Sequence, residues 1–393
     1  MPVVLMIIAG IPLISLGWWW WADRRLKALG PAPGWRIFIG LMMILLLGGY
    51  GWVVAERSEL LAIKIPTALY SSVLLWGLIL LPFFGVPMVL GWSCFVLGQR
   101  IFGRKRRELG AESQTPPWSR RKWLGAAAVS LPALTTLGAT LFSLPQMTRF
   151  RIRKLTLTFD SLPAALDGLK IAHVTDTHIG KFTRGPVLDE IVAATNALDA
   201  DLILFTGDLI DNTIRDLPAA VGMLQRMRAK SGLFIIEGNH DLFDDPAGFA
   251  EGIRAGGLNL LRNQSAVVSI RGERVQIGGI AWHHGEVAMT RDVEQVAEQI
   301  DPDAFAILLA HHPHAFDRAA ELGFSLVLAG HTHGGQLMLT PDLGPGPMMF
   351  RYWSGLYQKG LSKLVVSNGT GNWFPLRLNA PAEIVELTLR SRN

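Results

Sequence analysis

Leu202-Ile203-Leu204-Phe205-Thr206-Gly207-Asp208-Leu209-Ile210-Asp211 joins an uninterrupted apolar run to a turn that carries two carboxylates. Such a run reads as a strand buried on both faces, and the polar cluster after it reads as a loop at the strand's C-terminal end. The same pattern recurs four times. Leu169–Val174 precedes Asp176-Thr177-His178, and Leu233–Ile236 precedes Gly238-Asn239-His240-Asp241. Phe305–Leu309 leads to His311, and Phe324–Leu328 leads to Gly330-His331-Thr332-His333-Gly334-Gly335-Gln336. Loops at one edge of such a sheet converge on one crevice. Amphipathic stretches at Pro186–Leu198, Leu217–Arg228 and Val293–Ile300 alternate with the strands, and Leu364–Ser367 and Glu383–Leu387 add two strands more. The pattern predicts an α/β fold of two packed sheets.

The loop residues share a chemistry. Two divalent cations about 3.5–4 Å apart need a bridging carboxylate and a mixture of imidazole, carboxylate and amide-oxygen ligands. Asp176, His178, Asp208, Asn239, His311, His331 and His333 supply that mixture. His173 sits at an alternating strand position and reads as a packed core histidine. His312 and His314 read as structural or rim residues, and Gly334, Gly335 and Gln336 as loop-shaping. His283 and His284 are candidates for substrate contact; Arg377 would reach either a phosphate or a neighbouring carboxylate.

The N-terminal part follows different rules. The 393-residue chain is 50% hydrophobic and 18% charged, and the apolar excess lies at the front. Residues 2–22, 37–55, 67–97 and 124–146 contain no Asp, Glu, Lys or Arg. Each is long enough to cross a ~30 Å hydrocarbon layer as a helix. The expected organisation is a transmembrane region over residues 1–148, with about four helices, and a catalytic domain over 149–393. The third stretch carries Pro82 and Pro87 and reads as one kinked or tilted helix, not a hairpin, since each half is too short to cross.

Loop charge gives the orientation through the Lys/Arg bias of cytoplasmic segments. Arg24, Arg25, Lys27 and Arg36 follow span one. Arg100, Arg104–Arg107 and Arg120-Arg121-Lys122 precede span four, whereas Arg57 and Lys64 in the intervening loop are balanced by Glu56 and Glu59. The catalytic domain is therefore expected outside the cytoplasm, although Arg149, Arg151, Arg153 and Lys154 just beyond span four oppose this. Ser119-Arg120-Arg121-Lys122-Trp123-Leu124 reads equally as a twin-arginine-like export segment or as a basic flank of a membrane helix. Residues 1–148 hold 14 Lys/Arg against 5 Asp/Glu, and the remaining 245 residues hold 23 against 27. The basicity thus belongs to the membrane surface, and no nucleic-acid partner is expected. Cys94, the single cysteine, excludes an intrachain disulfide and a multi-thiolate zinc site.

In this order the motifs resemble the calcineurin-like metallophosphoesterase superfamily, in particular its membrane-anchored bacterial branch, over about residues 150–390. Two local departures are Thr175-Asp176-Thr177-His178 and Ile280-Ala281-Trp282-His283-His284, the second in a region where relatives tend to carry acidic residues. The resemblance implies a two-sheet αββα sandwich. It implies that Asp176, His178, Asp208 and His333 bind one metal ion, and that Asp208, Asn239, His311 and His331 bind the other, with Asp208 bridging. The ions would be Mn, Fe, Zn or Ni. His240 would protonate the leaving oxygen or stabilise the transition state, and Asp211 and Asp241 would orient neighbouring groups.

The implied reaction is hydrolysis of a phosphoester or phosphodiester, including that of a phospholipid, by hydroxide generated between the cations, at the inner membrane of the cell. The lipid bilayer and a phosphorylated substrate are the expected partners. One alternative is a UDP-2,3-diacylglucosamine pyrophosphatase of lipid A synthesis. The other is a membrane transporter or sensor with a vestigial phosphoesterase domain. The absence of charged or His residues within the four apolar stretches and the intact ligand set argue against that last reading.

Overall fold

A computed structural model describes residues 2–30, 33–58, 60–61, 63–102, 120–340, 343–344 and 346–392, without the side chains of residues 2–9 and 57. Glu59, the basic run Arg104–Arg107 and Ser119 lie outside the described residues, as does the side chain of Arg57. The chain divides into two compact units, residues 1–144 and 145–393.

The first unit is helical: α1 (Pro2–Leu29), α2 (Pro33–Arg57), α3 (Thr67–Leu74), a π-helical segment (Leu75–Gly85), α4 (Val86–Phe102) and α5 (Arg120–Met147), whose last turn enters the second unit. Among the described residues three helices are long and apolar enough to cross a membrane: Pro33–Glu56, Thr67–Phe102 and Arg120–Met147. The sequence reading counted α1 as a fourth. Thr67–Phe102 runs unbroken for 36 residues, so the third span is one helix. Pro82 lies inside its π-helical segment, where the wider turn accommodates the missing proline donor. Leu41, Leu45 and Phe83 face outward, as suits a unit whose solvent is lipid. Arg36 makes a two-bond contact with Asp23 at 2.8 Å, which offsets one of the positive charges after span one.

The second unit has two mixed six-stranded sheets. One runs β1 (Phe150–Phe159), β12 (Ala382–Ser391), β2 (Leu169–Val174), β3 (Leu202–Thr206), β4 (Leu233–Ile236), β5 (Asn259–Leu260) in spatial order. The other runs β10 (Gly355–Lys359), β11 (Ser362–Val366), β9 (Leu326–Ala329), β8 (Phe305–Leu309), β7 (Glu273–Gly279), β6 (Gln264–Ile270). Ile171 and Leu204 of the first sheet share one buried core with Ile307 and Leu328 of the second. Helices α6 (Pro186–Ala197), α7 (Leu217–Gln225) and α8 (Pro246–Ala255) cover the first sheet, and α9 (Glu286–Ala297) and α10 (Phe316–Glu321) cover the second. The architecture is αββα.

The five apolar runs read from the sequence are β2, β3, β4, β8 and β9, the last shifted by two residues to Leu326–Ala329. Strands β1, β5, β6, β7 and β10 and helices α8 and α10 were not anticipated. The strands among them are edge or hairpin elements, with burial that follows their neighbours more than any period in their own sequence. Helix α9 begins at Glu286, seven residues before the expected Val293.

Three of the four basic residues beyond α5 are paired inside the domain. Arg151 and Arg153 reach the fully buried Glu383 at 2.9 and 3.3 Å, and Lys154 reaches Glu386 at 3.1 Å. Glu383 also accepts from the Asn368 backbone N–H at 3.2 Å. Glu383→Ala would bury unmatched donors and cost about 2–3 kcal/mol, with the partial exposure of Arg151 limiting the loss. The expected readout is a lower unfolding midpoint of the full chain in detergent, with Glu383→Gln intermediate.

Candidate active site

Parallel strands place the five motif loops at one end of both sheets. Asp176 and His178 follow β2, Asp208 follows β3, Asn239 and His240 follow β4, His311 follows β8, and His331 and His333 follow β9. The loops interlock through main chain: Asp176 N–H donates to Gly207 O, His178 N–H to Asp208 O, and Gly330 N–H to His311 O. Asp176, His178, Asp208, His331 and His333 have φ between 44° and 69°, a left-handed conformation that side chains with a Cβ rarely adopt. Two glycines keep the approach open. A Cβ on Gly330 would lie 2.0 Å from Asp176 Oδ2, and one on Gly238 would lie 2.2 Å from Asp208 Oδ1.

Three donor groups could each hold a cation: Asp176, His178 and His333; His178, Asp208 and His240; and Asp208, His311 and His331. His333 Nε2 is 3.0 Å from Asp176 Oδ1 and 2.9 Å from His178 Nε2. His178 Nε2 is 3.5 Å from Asp208 Oδ2, and His311 Nε2 approaches the same oxygen at 3.1 Å. His331 Nδ1 lies 2.9 Å from Asn239 Oδ1. The donor chemistry fits a divalent ion. His311 Nδ1 donates to Thr206 O at 2.7 Å, so its buried Nε2, which has no hydrogen-bond partner, turns a lone pair toward a carboxylate. Two acceptors meeting there call for a proton or a cation between them.

The electrostatics say the same. Burial disfavours charge on His178, but the nearby carboxylates of Asp176, Asp211 and Asp208 outweigh it and raise the ring to about 10. Burial acts likewise on His311, yet Asp208 raises it to about 9. Burial lowers His333 to about 4 and drives His331 well down. Asp176 and Asp208 are held below the ordinary carboxylate range despite burial, by His333 and His178 for the first and His311 and His178 for the second. Burial, then the Asp208 charge, pushes Asp241 up to about 7.

The remaining sequence candidates fall in distinct places. Asp241 accepts from the Gly238 and Ile210 N–H groups, both at 2.9 Å, and so ties two motif loops together. Asp211 lies 3.5 Å from His178 Nδ1, and its carbonyl accepts from His240 Nδ1 at 2.6 Å. His240 is packed edge-on against His178 and lines a cavity of about 370 Å³ with His178, Asp208, Asn239 and His331. His283 and His284 line an adjoining cavity of about 440 Å³, with His283 Nε2 on Asp292 at 2.9 Å. His312 and His314 border that cavity too, and His173 is buried against Thr206 at 2.8 Å.

Arg377 corrects the sequence reading. It is fully buried, and its guanidinium donates to Asn372 Oδ1, Gly371 O and Ala380 O. It braces the closing loop behind His333, with Nη2 3.5 Å from His333 Nδ1. Gln336 does similar work, donating to Phe374 O and Leu376 O. Sequence reasoning missed two aromatics. Trp282 packs against His311 and His331, with ring centroids 5.4 and 5.0 Å away, and Trp373 lies on the wall of the His240 cavity. Their signal was adjacency: Trp282 precedes His283, and Trp373 sits in the closing Asn372-Trp373-Phe374-Pro375.

Residues 169–335 match the family model described as calcineurin-like phosphoesterase. An uncharacterized metallophosphoesterase of Bacillus subtilis is 32% identical over 246 residues, covering 61% of this chain and 85% of the relative. The chain belongs to the calcineurin-like phosphoesterases. As a member of this family it is a metal-dependent phosphoric ester hydrolase. A transmembrane protein with metallophosphoesterase domain from Danio rerio is 29% identical over 412 residues, 98% of this phosphoesterase and 89% of the relative. An uncharacterized metallophosphoesterase of Campylobacter jejuni is 31% identical over 240 residues, 59% of this chain and 62% of the relative. With its apolar helices, the phosphoesterase is a membrane protein.

In the metal-free protein at pH 7.5, His178 and His311 each carry a proton, because their values lie near 10 and 9. An imidazole must be neutral to bind a metal, so loading should release about two protons, and apparent affinity should climb as pH rises toward those values. Calorimetric Mn or Zn titrations in buffers of different ionisation enthalpy measure this directly. No buffer dependence at pH 7.5 would contradict the charge assignment.

Proposed function

We propose that this chain is a membrane-anchored binuclear phosphoesterase that hydrolyses a phosphoester or phosphodiester, phospholipids included. The observation that carries the reading is the sharing of Asp208 Oδ2 between His178 Nε2 at 3.5 Å and His311 Nε2 at 3.1 Å. One carboxylate thereby links two donor groups. Asp176, His178, Asp208 and His333 would hold one divalent ion; Asp208, Asn239, His311 and His331 would hold the second. Mn, Fe, Zn and Ni all suit such an O/N set. When bound, the ions would supply Lewis acidity to the phosphoryl oxygens and a water that ionises near neutral pH.

The rest is the work of this chain's own residues. His240 has Nδ1–H committed to the Asp211 carbonyl, which leaves Nε2 to act on the substrate; in the doubly protonated ring Nε2–H would give its proton to the departing oxygen. Asp211 fixes the tautomer, and Asp241 holds the Asp208 and Asn239 loops in register through Ile210 and Gly238. Trp282 and the neighbouring imidazoles form a wall beside the second donor group, where His283 and His284 would meet the part of the substrate beyond the phosphoryl group.

The domain faces away from the cytoplasm at the inner membrane in this reading. The chief opposing feature, the basic residues after α5, is weakened by their pairing with Glu383 and Glu386. A reporter fused after residue 393 should be active only outside the cytoplasm. Activity only inside would favour the UDP-2,3-diacylglucosamine pyrophosphatase reading.

His240→Ala distinguishes a proton donor from a ligand, since His240 also belongs to one of the donor groups. The expected variant keeps its full metal content by elemental analysis and loses roughly 10²–10⁴ in kcat on an aryl phosphodiester. Loss of one metal equivalent would instead make His240 a ligand.

A further inference from the structure

The His240 cavity also has an apolar lining: Leu337, Met349, Phe350 and Trp373. The apolar surface continues outward. Leu339, Leu343, Met348 and Met349 are 74%, 58%, 90% and 75% exposed, and Trp373 is 45% exposed. A cluster of large apolar side chains at the mouth of a polar site is unfavourable in water and marks a docking surface.

Hydrogen bonds connect this rim to the place where the chain leaves the bilayer. Asn379 N–H donates to Gln146 Oε1 at 3.0 Å, while Asn379 Nδ2 donates to Met338 O and Leu339 O at 3.3 and 3.0 Å. Asn372 Nδ2 donates to Met147 O at 2.7 Å, and Trp373 is the next residue. Gln146 and Met147 end α5, and the uncharged stretch 124–146 stops there. Each side of the rim is thus bonded to the boundary residues of a membrane span. Beside it, Arg149 and Arg184 line a cavity of about 240 Å³ with Met147 and Asn372, which suits anionic head groups.

We infer that Leu339, Leu343, Met348, Met349 and Trp373 rest on the lipid surface that α5 leaves, and that the substrate is a lipid phosphoester drawn from that surface. Its apolar part lies against Leu337, Phe350 and Trp373 while its phosphoryl group meets the donor groups. The substrate half of this inference rests on the hydrolase reading above; the docking half does not. An amphipathic surface of this kind binds by burying its apolar side chains at the head-group boundary.

The full chain allows a clean test because Cys94 is its single cysteine. In a Cys94→Ser background, Leu339→Cys and Met348→Cys carry a bimane label in nanodiscs of phosphatidylcholine and phosphatidylglycerol with nitroxide-bearing acyl chains. Leu361→Cys is the control: Leu361 is 76% exposed and sits in the β10–β11 turn, at the opposite end of the sheet from the site. Labels at 339 and 348 should be quenched several-fold more than the label at 361. Equal quenching overturns the docking, and so does shielding from water without lipid quenching, which would assign the rim to a protein partner.

A second arm uses unlabelled Leu339→Asp/Met348→Asp protein. Turnover of dioleoylphosphatidic acid or dioleoylphosphatidylglycerol in vesicles should fall about tenfold or more, with turnover of bis-p-nitrophenyl phosphate unchanged. Aryl ester turnover with no turnover of either lipid overturns lipid delivery. Failure to turn over any of the three removes the hydrolase reading and delivery together, and leaves the docking result standing.

Discussion

Everything at the site depends on buried carboxylates and imidazoles being held within about 3–4 Å of one another. That crowding requires chain directions that ordinary strands do not provide. Five of the seven candidate ligand positions lie in the left-handed region of backbone space, each costing of order 1–3 kcal/mol. The cost is borne because the strands behind the loops are buried on both faces and the loops are cross-bonded to each other. Strain of this kind survives only where the surroundings over-determine it. The two sheets are therefore the reason that Asp208 can reach both histidine groups.

Charge balance is the second constraint. Asp176 and Asp208 are buried with raised histidines at His178 and His311, so the metal-free site is already compensated by protons. A divalent cation bound there would exchange with those protons instead of entering an uncompensated negative hole. The neutral nitrogens of His331 and His333 complete a set in which protonation and metal binding compete at the same atoms.

The loop from Ser367 to Ala380 joins the ligand loops to the end of α5. At one end Thr370 and Gly371 donate to the Thr175 and Asp176 carbonyls. Next to them Asn372 donates to Met147 O, then Arg377 stitches the loop to itself, and at the other end Asn379 N–H donates to Gln146 Oε1. The same loop therefore bonds both to the ligand loops and to Gln146 and Met147, the closing residues of α5.

Much of this was legible in the sequence because strand, turn and ligand are consecutive. An apolar run followed by Gly-Asp or Gly-His encodes both a buried strand and the candidate donor at its end, and five such runs were enough to read the α/β fold; the apolar helices were legible separately, from uncharged stretches at the front of the chain. The edge strands β1, β6 and β10 and the hairpin strand β7 were not legible, since their mixed polarity acquires meaning only beside a neighbour. The role of Arg377 was not legible either: its sequence position fits a phosphate contact equally well, and only the packed loop shows the guanidinium buried among carbonyls. Trp282, Trp373 and the apolar rim gain their meaning from side chains far apart in sequence. Local periodicity carries no record of which loops will face each other, and the packing of two sheets face to face decides it.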